Sequence, residues 1–477
     1  ISKELFEYRI ATKALLLSSS TRIRKTILAS GNQELIDEYL HWTDLKESLS
    51  AYYSFSKKEL VEQKINLDSL EREANNREKY LSENSEVFKE GYFIKSPEFE
   101  EIKAILSAEE AAVEIIQIPV FERTLTSQSE YYALVVTAES AYPALVRLNS
   151  SSELDDKYFK YYRNSVQLKR ADEYSFEKFW SPVVSHIEGK NHIYISNDGI
   201  YNQVNINTLK GSGNYLLDDL NVSLLTNLSA LLESSRSIGA GDTSSDVFLL
   251  GFPDYGESKE ILPLPGTKKE ITDINGVLSN SKFKTTVVTG SEATEESVKD
   301  LKDPGLVHIA THGFFMPDIG ISDESPVFGI EPSAAREKPM LRSGVLLKGA
   351  AYTFHGVDSK EISDENNGVL TAYEVMNLDF DKTSLVVLSA CETGLGDLKT
   401  GEGVYGLQRA FLVAGADALI MSLWKVNDDA TQRLMTLFYQ NLSASPDYKQ
   451  AFKKAQLALK KEYSDPYFWG AFVMIEH

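Results

Sequence analysis

"SLVVLSACETGLGDLKTGEG", residues 384–403, places the only cysteine of a 477-residue chain at the end of an apolar run, three residues before a glycine. Leu385 to Leu388 run without the polar alternation of a half-solvated strand. That is how a strand buried on both faces of a sheet reads. Cys391 then stands where such a strand ends and a turn begins. Cysteine is among the most buried residue types, so a small soft side chain at this place needs no chemistry by itself. Sulfur chemistry requires a partner elsewhere in the chain.

Outward from this run, "AAVEIIQIPVF", "YYALVVTA", "NHIYISNDGI", "VSLLTNL", "VFLLGFPD", "KTTVVTG", "GLVHIATHGF" and "ADALIMSLWKV" repeat the pattern. Helical stretches such as "SFEKFWSPVVSHI", "KKEITDINGVL" and "ATQRLMTLFYQNL" alternate with them. Alternation of this kind predicts an α/β sandwich with a mostly parallel sheet. "SRSIGAGDTSSD" (235–246), crowded with Gly, Ser and Asp, reads as a linker between two α/β halves, 96–240 and 241–477, which are expected to pack together. Residues 1–95 differ: they are rich in Leu, Glu, Lys and Ser and hold no proline. In 34–55, Leu35, Tyr39, Trp42, Leu45, Leu49 and Tyr52 recur at three- and four-residue steps, which predicts one amphipathic helix. The region reads as a helical bundle or as the end of a helical repeat array.

Composition bounds the function. A mass of 53.3 kDa with 42% hydrophobic and 25% charged residues describes a folding chain of two or three domains. No run approaches the ~18 apolar residues that a membrane-spanning helix needs, and "ISKELFEYRI" lacks the basic flank and apolar centre of a signal peptide. Beginning at Ile1, the chain is expected to be a fragment or a processed product. One cysteine excludes an internal disulfide framework, and a cytoplasmic location is the expectation. A formal charge of -21 argues against nucleic acid and suits a basic partner.

The partner for the sulfur stands at another strand end. "LVHIATHGFF" closes on His312 and Gly313, repeating the order of "LVVLSACETG": apolar run, small residue, reactive residue, then glycine. Ligands and catalytic groups collect at the carboxyl ends of parallel strands. A free thiol is a weak nucleophile at neutral pH unless an imidazole or a positive dipole favours the thiolate. His312 can serve as general base and then protonate a departing amine, while the backbone N–H groups of Gly313 and Cys391 bind a developing oxyanion. His308 and His312 share the spacing of a helical zinc pair. On a strand, four residues span about 13 Å, too wide for one metal, so His308 reads as a satisfied core or rim histidine and no metal is expected. His41, His186, His192, His355 and His477 read as structural.

Together, "HIATHGFF", "VVLSACETGLGDLKTGEGVYGLQRAFLVAGADALIMSLWKVNDDAT" and "DPYFWGAFVMI" resemble the CHAT domain, a caspase-like peptidase domain found behind tetratricopeptide repeats. The resemblance covers roughly residues 100–477. It implies a caspase-like fold related to separase, metacaspases and gingipains, with a His/Cys dyad on His312 and Cys391. By the same resemblance residues 96–240 form a catalytically empty half, 241–477 the catalytic half, and 1–95 the end of a repeat array. The run around Cys391 differs from the Gln-Ala-Cys signature of caspases, so a preference for aspartate is not carried over.

"SLWKVNDDATQRL" resembles the part of separase in which an acidic residue after the Trp-containing strand receives an arginine. This nominates Asp428 as the floor of a specificity pocket, with Asp429 as alternative or as a helix cap, and Trp424 as a pocket wall or a core residue. Glu392 could order the loop or tune the thiol, and Glu402 fits the start of the next helix. Arg336 and Arg342, in the long segment 317–367, are candidate self-cleavage points. Two readings stay open: a cysteine endopeptidase cutting a protein substrate under control of a partner bound to the N-terminal helices, or a catalytically silent adaptor. No phosphate-binding loop is present, and no cofactor is expected.

Overall fold

The apolar runs become strands and the amphipathic runs become helices in the computed structural model. It describes all residues except 14–16, 18–23, 25, 29, 54–59, 62, 86–96, 122–124, 212, 235–244, 318–326, 356–366 and 402. The side chains of 47, 50, 51 and 125–127 are also outside the description. The N-terminal region supplies α1 (Ser2–Thr12), α2 (Gln33–Tyr52) and α3 (Leu67–Asn84). Helix α2 is the helix predicted over 34–55. Asn66 caps α3 by accepting from Ser69 N–H, and Ile27, Leu35, Tyr39 and Leu81 close a small apolar cluster of their own.

The α/β part opens with α4 (Phe99–Ile105), β1 (Glu110–Phe121), β2 (Leu125–Thr137), β3 (Ala144–Ser150), α5 (Phe159–Gln167), β4 (His192–Ser196) and β5 (Asn221–Leu225). It continues with β6 (Asp246–Pro253), α6 (Pro265–Leu278), β7 (Lys284–Gly290), α7 (Glu295–Lys299), β8 (Leu306–Ala310), β9 (Gly313–Phe315), β10 (Ser343–Leu346) and β11 (Val369–Thr371). Then follow β12 (Leu385–Ser389), β13 (Asp397–Lys399), β14 (Gly403–Tyr405), β15 (Ala418–Ser422), α8 (Asp428–Ala444), α9 (Tyr448–Glu462) and β16 (Phe472–Glu476). The expected linker lies largely outside the described residues.

Eleven strands form one continuous sheet in the order β3-β2-β1-β4-β5-β16-β15-β12-β8-β6-β7. Pairing is antiparallel only at β1·β2, β2·β3 and β15·β16, and parallel elsewhere. The fold is thus an α/β sandwich on a mostly parallel sheet, preceded by helices. Every residue of β8, β12 and β15 is buried, as continuous apolar strands require. On β1 the period of two divides the layers. Ala111, Val113 and Ile115 join the main core, while Ala112 and Ile116 join a second one with Phe6 and Ile10 of α1 and Phe99 and Ile102 of α4. Helix α6 packs on β6 and α8, and α8 packs on α9. Two small sheets, β11-β10-β9 and β13-β14, follow directly from the ends of β8 and of the cysteine loop.

Candidate active site

Strands β8 and β12 are parallel neighbours whose register pairs Ala310 with Ser389. His312 and Cys391 each stand two residues beyond this pair, so both emerge from the same carboxyl end of the sheet on adjacent strands. Both side chains are half-buried. The two segments touch at Gly313, where a Cβ would stand 2.9 Å from the Cys391 carbonyl oxygen and 2.9 Å from Thr393 Cγ2. Only a residue without a side chain permits that approach.

The histidine is held from several sides. Its Nε2 lies 2.8 Å from the Leu262 carbonyl oxygen. A carbonyl can only accept, so Nε2 carries the proton and the neutral ring keeps its lone pair on Nδ1. Its main-chain N–H donates to the Tyr255 hydroxyl (3.3 Å), which itself bonds Thr311 Oγ1 (2.7 Å). The Thr311 hydroxyl in turn donates to the Leu346 carbonyl. Tyr255 also sets its ring 5.2 Å from the imidazole, and burial pushes its phenol up to about 12. Neither Tyr255 nor Leu262 was nominated from sequence. The signal available was their position just beyond β6, a strand that neighbours β8.

The cysteine loop is fastened to the end of β15. Ser422 Oγ donates to the Ala390 carbonyl (2.6 Å), Gly394 N–H to the Ser422 carbonyl (2.8 Å), and Ser422 N–H to Thr393 Oγ1 (3.3 Å). Glu392 adopts a φ of 58°, a left-handed conformation unusual for a residue with a side chain. Burial pushes the Cys391 thiol up; the Val426 N–H and the Lys425 ammonium oppose this, and the carboxylates of Glu392 and Asp428 add to it. The resting group is a neutral thiol that needs a base.

Gly313 N–H takes no part in the β9·β10 ladder. Leu346 N–H donates to the His312 carbonyl and Met316 N–H to the Arg342 carbonyl, which makes Gly313, opposite Val345, a non-hydrogen-bonded position of the antiparallel β9·β10 ladder. Its N–H therefore points to the open edge of that sheet.

The structure separates the remaining nominated residues. Asp428 and Asp429 are both exposed, and Asp428 acts electrostatically on both Cys391 and Tyr467. An exposed carboxylate is not the floor of a partly buried slot, so Asp428 stands at a rim. Helix α8 is capped by Asn427, whose side chain accepts from Ala430 N–H, and not by Asp429. Trp424 is wholly buried and donates Nε1–H to the Tyr467 carbonyl at 3.1 Å. It belongs to the core behind the site and offers no surface to a substrate. Arg342 is buried and paired with Asp397, which withdraws it from self-cleavage, while Arg336 lies exposed on the helix Pro332–Glu337. Glu402 and much of 317–367 lie outside the described residues. His308 is a core histidine, bonded to Glu270 (2.8 Å) and to the Tyr439 hydroxyl (3.1 Å). Among the described residues no cluster of three or more His, Cys, Asp or Glu could hold a metal.

Comparison with known proteins places this chain in a family. The tetratricopeptide repeat protein 28 of Homo sapiens is 29% identical over 229 residues, 45% of this chain and 8% of that protein. Its Mus musculus counterpart is 27% identical over 231 residues, with the same coverage of 45% and 8%. The chain thus matches under a tenth of the length of these relatives. Among solved structures, the Arg-specific cysteine proteinase gingipain R aligns with a TM-score of 0.37 and 12% identity over 68% of this chain and 74% of its own. The Saccharomyces cerevisiae separase–securin complex aligns with a TM-score of 0.36 and 12% identity over 94% of this chain and 27% of that one. The CHAT domain family model matches residues 176–477, well over half of the sequence, and the chain belongs to the CHAT domain family.

Proposed function

We propose that this chain is a cysteine endopeptidase in which His312 and Cys391 act as general base and nucleophile. One observation supports this reading above others: the register of β8 on β12 sets the two residues side by side, with the imidazole already tied by Nε2 to the Leu262 carbonyl. In that tautomer Nδ1 accepts the thiol proton as sulfur attacks the carbonyl carbon of the scissile bond. The N–H groups of Gly313 and Cys391 receive the developing oxyanion. His312 then passes its proton to the leaving amine, and water, deprotonated by the same ring, hydrolyses the thioester. The Leu262 carbonyl stabilises the imidazolium between these steps.

The rim carboxylate of Asp428, beside Cys391, favours a basic residue before the cut: an arginine first, since its planar fork matches a carboxylate, and lysine second. Control by a partner acting on the N-terminal helices accords with the way those helices reach into the α/β body.

The test is cleavage of a peptide library by the full chain beside Cys391→Ala and His312→Ala. Turnover lost by at least a thousandfold in both variants, with folding intact, is the expected result. Equal turnover in the wild type and both variants overturns the reading. Absence of cleavage in all three, also in the presence of basic protein substrates, leaves the adaptor role instead.

A further inference from the structure

The loop that carries Cys391 is braced from the half of the sheet that holds no catalytic residue. Arg163, on α5, donates Nη1–H to the Leu423 carbonyl at 2.7 Å and sets Nη2 3.7 Å from Glu392 Oε1. Its side chain is 17% exposed, so the guanidinium is fixed between the two segments rather than waving in solvent. Each segment ends at the sulfur. Glu392 follows Cys391 directly, in its left-handed conformation. Leu423 begins the short stretch to Val426, whose N–H faces the thiol. The same stretch is anchored on its other side by Leu423 N–H on the Ala471 carbonyl at 2.9 Å.

We infer that Arg163 is a positioning residue for Cys391, a clamp from the non-catalytic half that holds the Val426 amide against the sulfur and neutralises Glu392. The inference rests on the reading of Cys391 as a reactive thiol. A guanidinium suits the task because its planar fork aims separate N–H groups in fixed directions at a carbonyl and a carboxylate, where the rotatable donors of an ammonium impose no such geometry. Two effects follow in the same direction. With Arg163 present, the Glu392 charge is balanced and disfavours a thiolate less. With the 423–426 stretch held, its amide stabilises the thiolate in place. The charged and titratable groups that face the sulfur are Glu392, Lys425, Asp428 and Tyr467, with His312 on the neighbouring strand. Arg163 touches one of them and fixes the segment that carries another.

Cys391 is the only thiol, so its titration can be read without labelling any other group. The experiment is the pH profile of iodoacetamide alkylation of the full chain, compared with Arg163→Met, Arg163→Lys and Glu392→Gln. Arg163→Met is expected to move the midpoint upward by roughly 0.5 to 1 unit, a three- to tenfold loss of alkylation rate below the midpoint. Arg163→Lys moves it upward by less, and Glu392→Gln moves it downward. An unshifted midpoint in folded Arg163→Met overturns the clamp. Should that variant fail to fold, Arg163→Lys decides, and an unshifted midpoint there overturns it equally. Peptide turnover is measured separately: a wild type that cleaves nothing ends the peptidase reading, whereas the alkylation shift reports on Arg163 regardless.

Discussion

At the scale of single residues, the proposed preference for a basic residue turns on two neighbouring carboxylates, Asp428 and Asp429. Asp428 acts on Cys391, and its side chain lies against Gly266, whose hypothetical Cβ would stand 3.1 Å from Asp428 Cβ. Asp428→Asn is therefore expected to lower the ratio of kcat/KM for Arg over Leu peptides by about tenfold or more, while Asp429→Asn leaves that ratio unchanged. Matched peptides differing only before the cut provide the measurement, and a ratio unmoved by Asp428→Asn removes it as the determinant. The placement of His312 and Cys391 at strand ends was legible in sequence because such ends announce themselves: an apolar run stops, a small residue follows, and a glycine opens the turn. "NDDAT" was not, since three adjacent residues share the chemistry of a helix cap and only the backbone shows that Asn427 takes the position. Trp424 reads equally as wall or core until burial decides it. Arg163 left no local sign at all, because its partners lie in a distant part of the chain.

At the scale of elements, α7 carries a carboxyl with an unusual task. Glu295 is buried and accepts from Gly368 N–H at 2.6 Å, at the entrance to β11, while Lys299 bridges it to Glu374. Burial, reinforced by the Glu374 charge, pushes Glu295 up to about 7 from an ordinary 4.5. A carboxyl raised in this way binds more protons folded than unfolded. Stability from this group is present in full below about pH 4.5 and is lost as pH rises toward about 7. Glu295→Gln keeps an acceptor for Gly368 N–H and removes the titration. Denaturation midpoints across that window should flatten in the variant relative to the wild type, by on the order of 1–3 kcal/mol over the range. A slope identical in both would assign the dependence to other groups. The elements themselves were largely readable: uninterrupted Val/Ile/Leu runs gave parallel strands, and heptad-like spacing gave α2. The small sheets β9–β11 and β13–β14 were not, since strands of three or four residues leave too few positions for any period to show.

At the scale of the whole molecule, the N-terminal helices are fastened to the sheet by buried cations. Arg9 pairs with Asp198, a wholly buried carboxylate that also accepts from the N–H groups of Gln117, Gly199 and Gly401. Lys13 pairs with buried Glu114, and Arg24 reaches Asp379 and the Ala414 carbonyl. Gly401 lies between β13 and β14, so the Asp198 junction joins α1, the non-catalytic strands and the hairpin beyond the cysteine loop. Arg9→Met leaves the Asp198 charge without its guanidinium, at an expected cost of about 3 kcal/mol in chemical denaturation. A loss below about 0.5 kcal/mol, the level of a surface pair, would show that the junction is not structural. Helical composition pointed to a region that stands apart, and nothing in its periodicity marked these basic residues as inward-facing.

The position of β16 carries a consequence for how the molecule is made. This strand follows the other described strands in sequence, yet it lies in the interior of the sheet, between β15 and β5. During synthesis at the ribosome, both of its neighbours, β5 and β15, emerge before it. Until residues 472–476 leave the exit tunnel, β5 and β15 each present an unpaired edge to the surrounding solution, the kind of surface that invites wrong pairing with other chains. Joining of the two parts of the sheet, and with it the passage of Arg163 across to the cysteine loop, must wait for β16, so a nascent chain holds His312 and Cys391 well before it holds the brace between them.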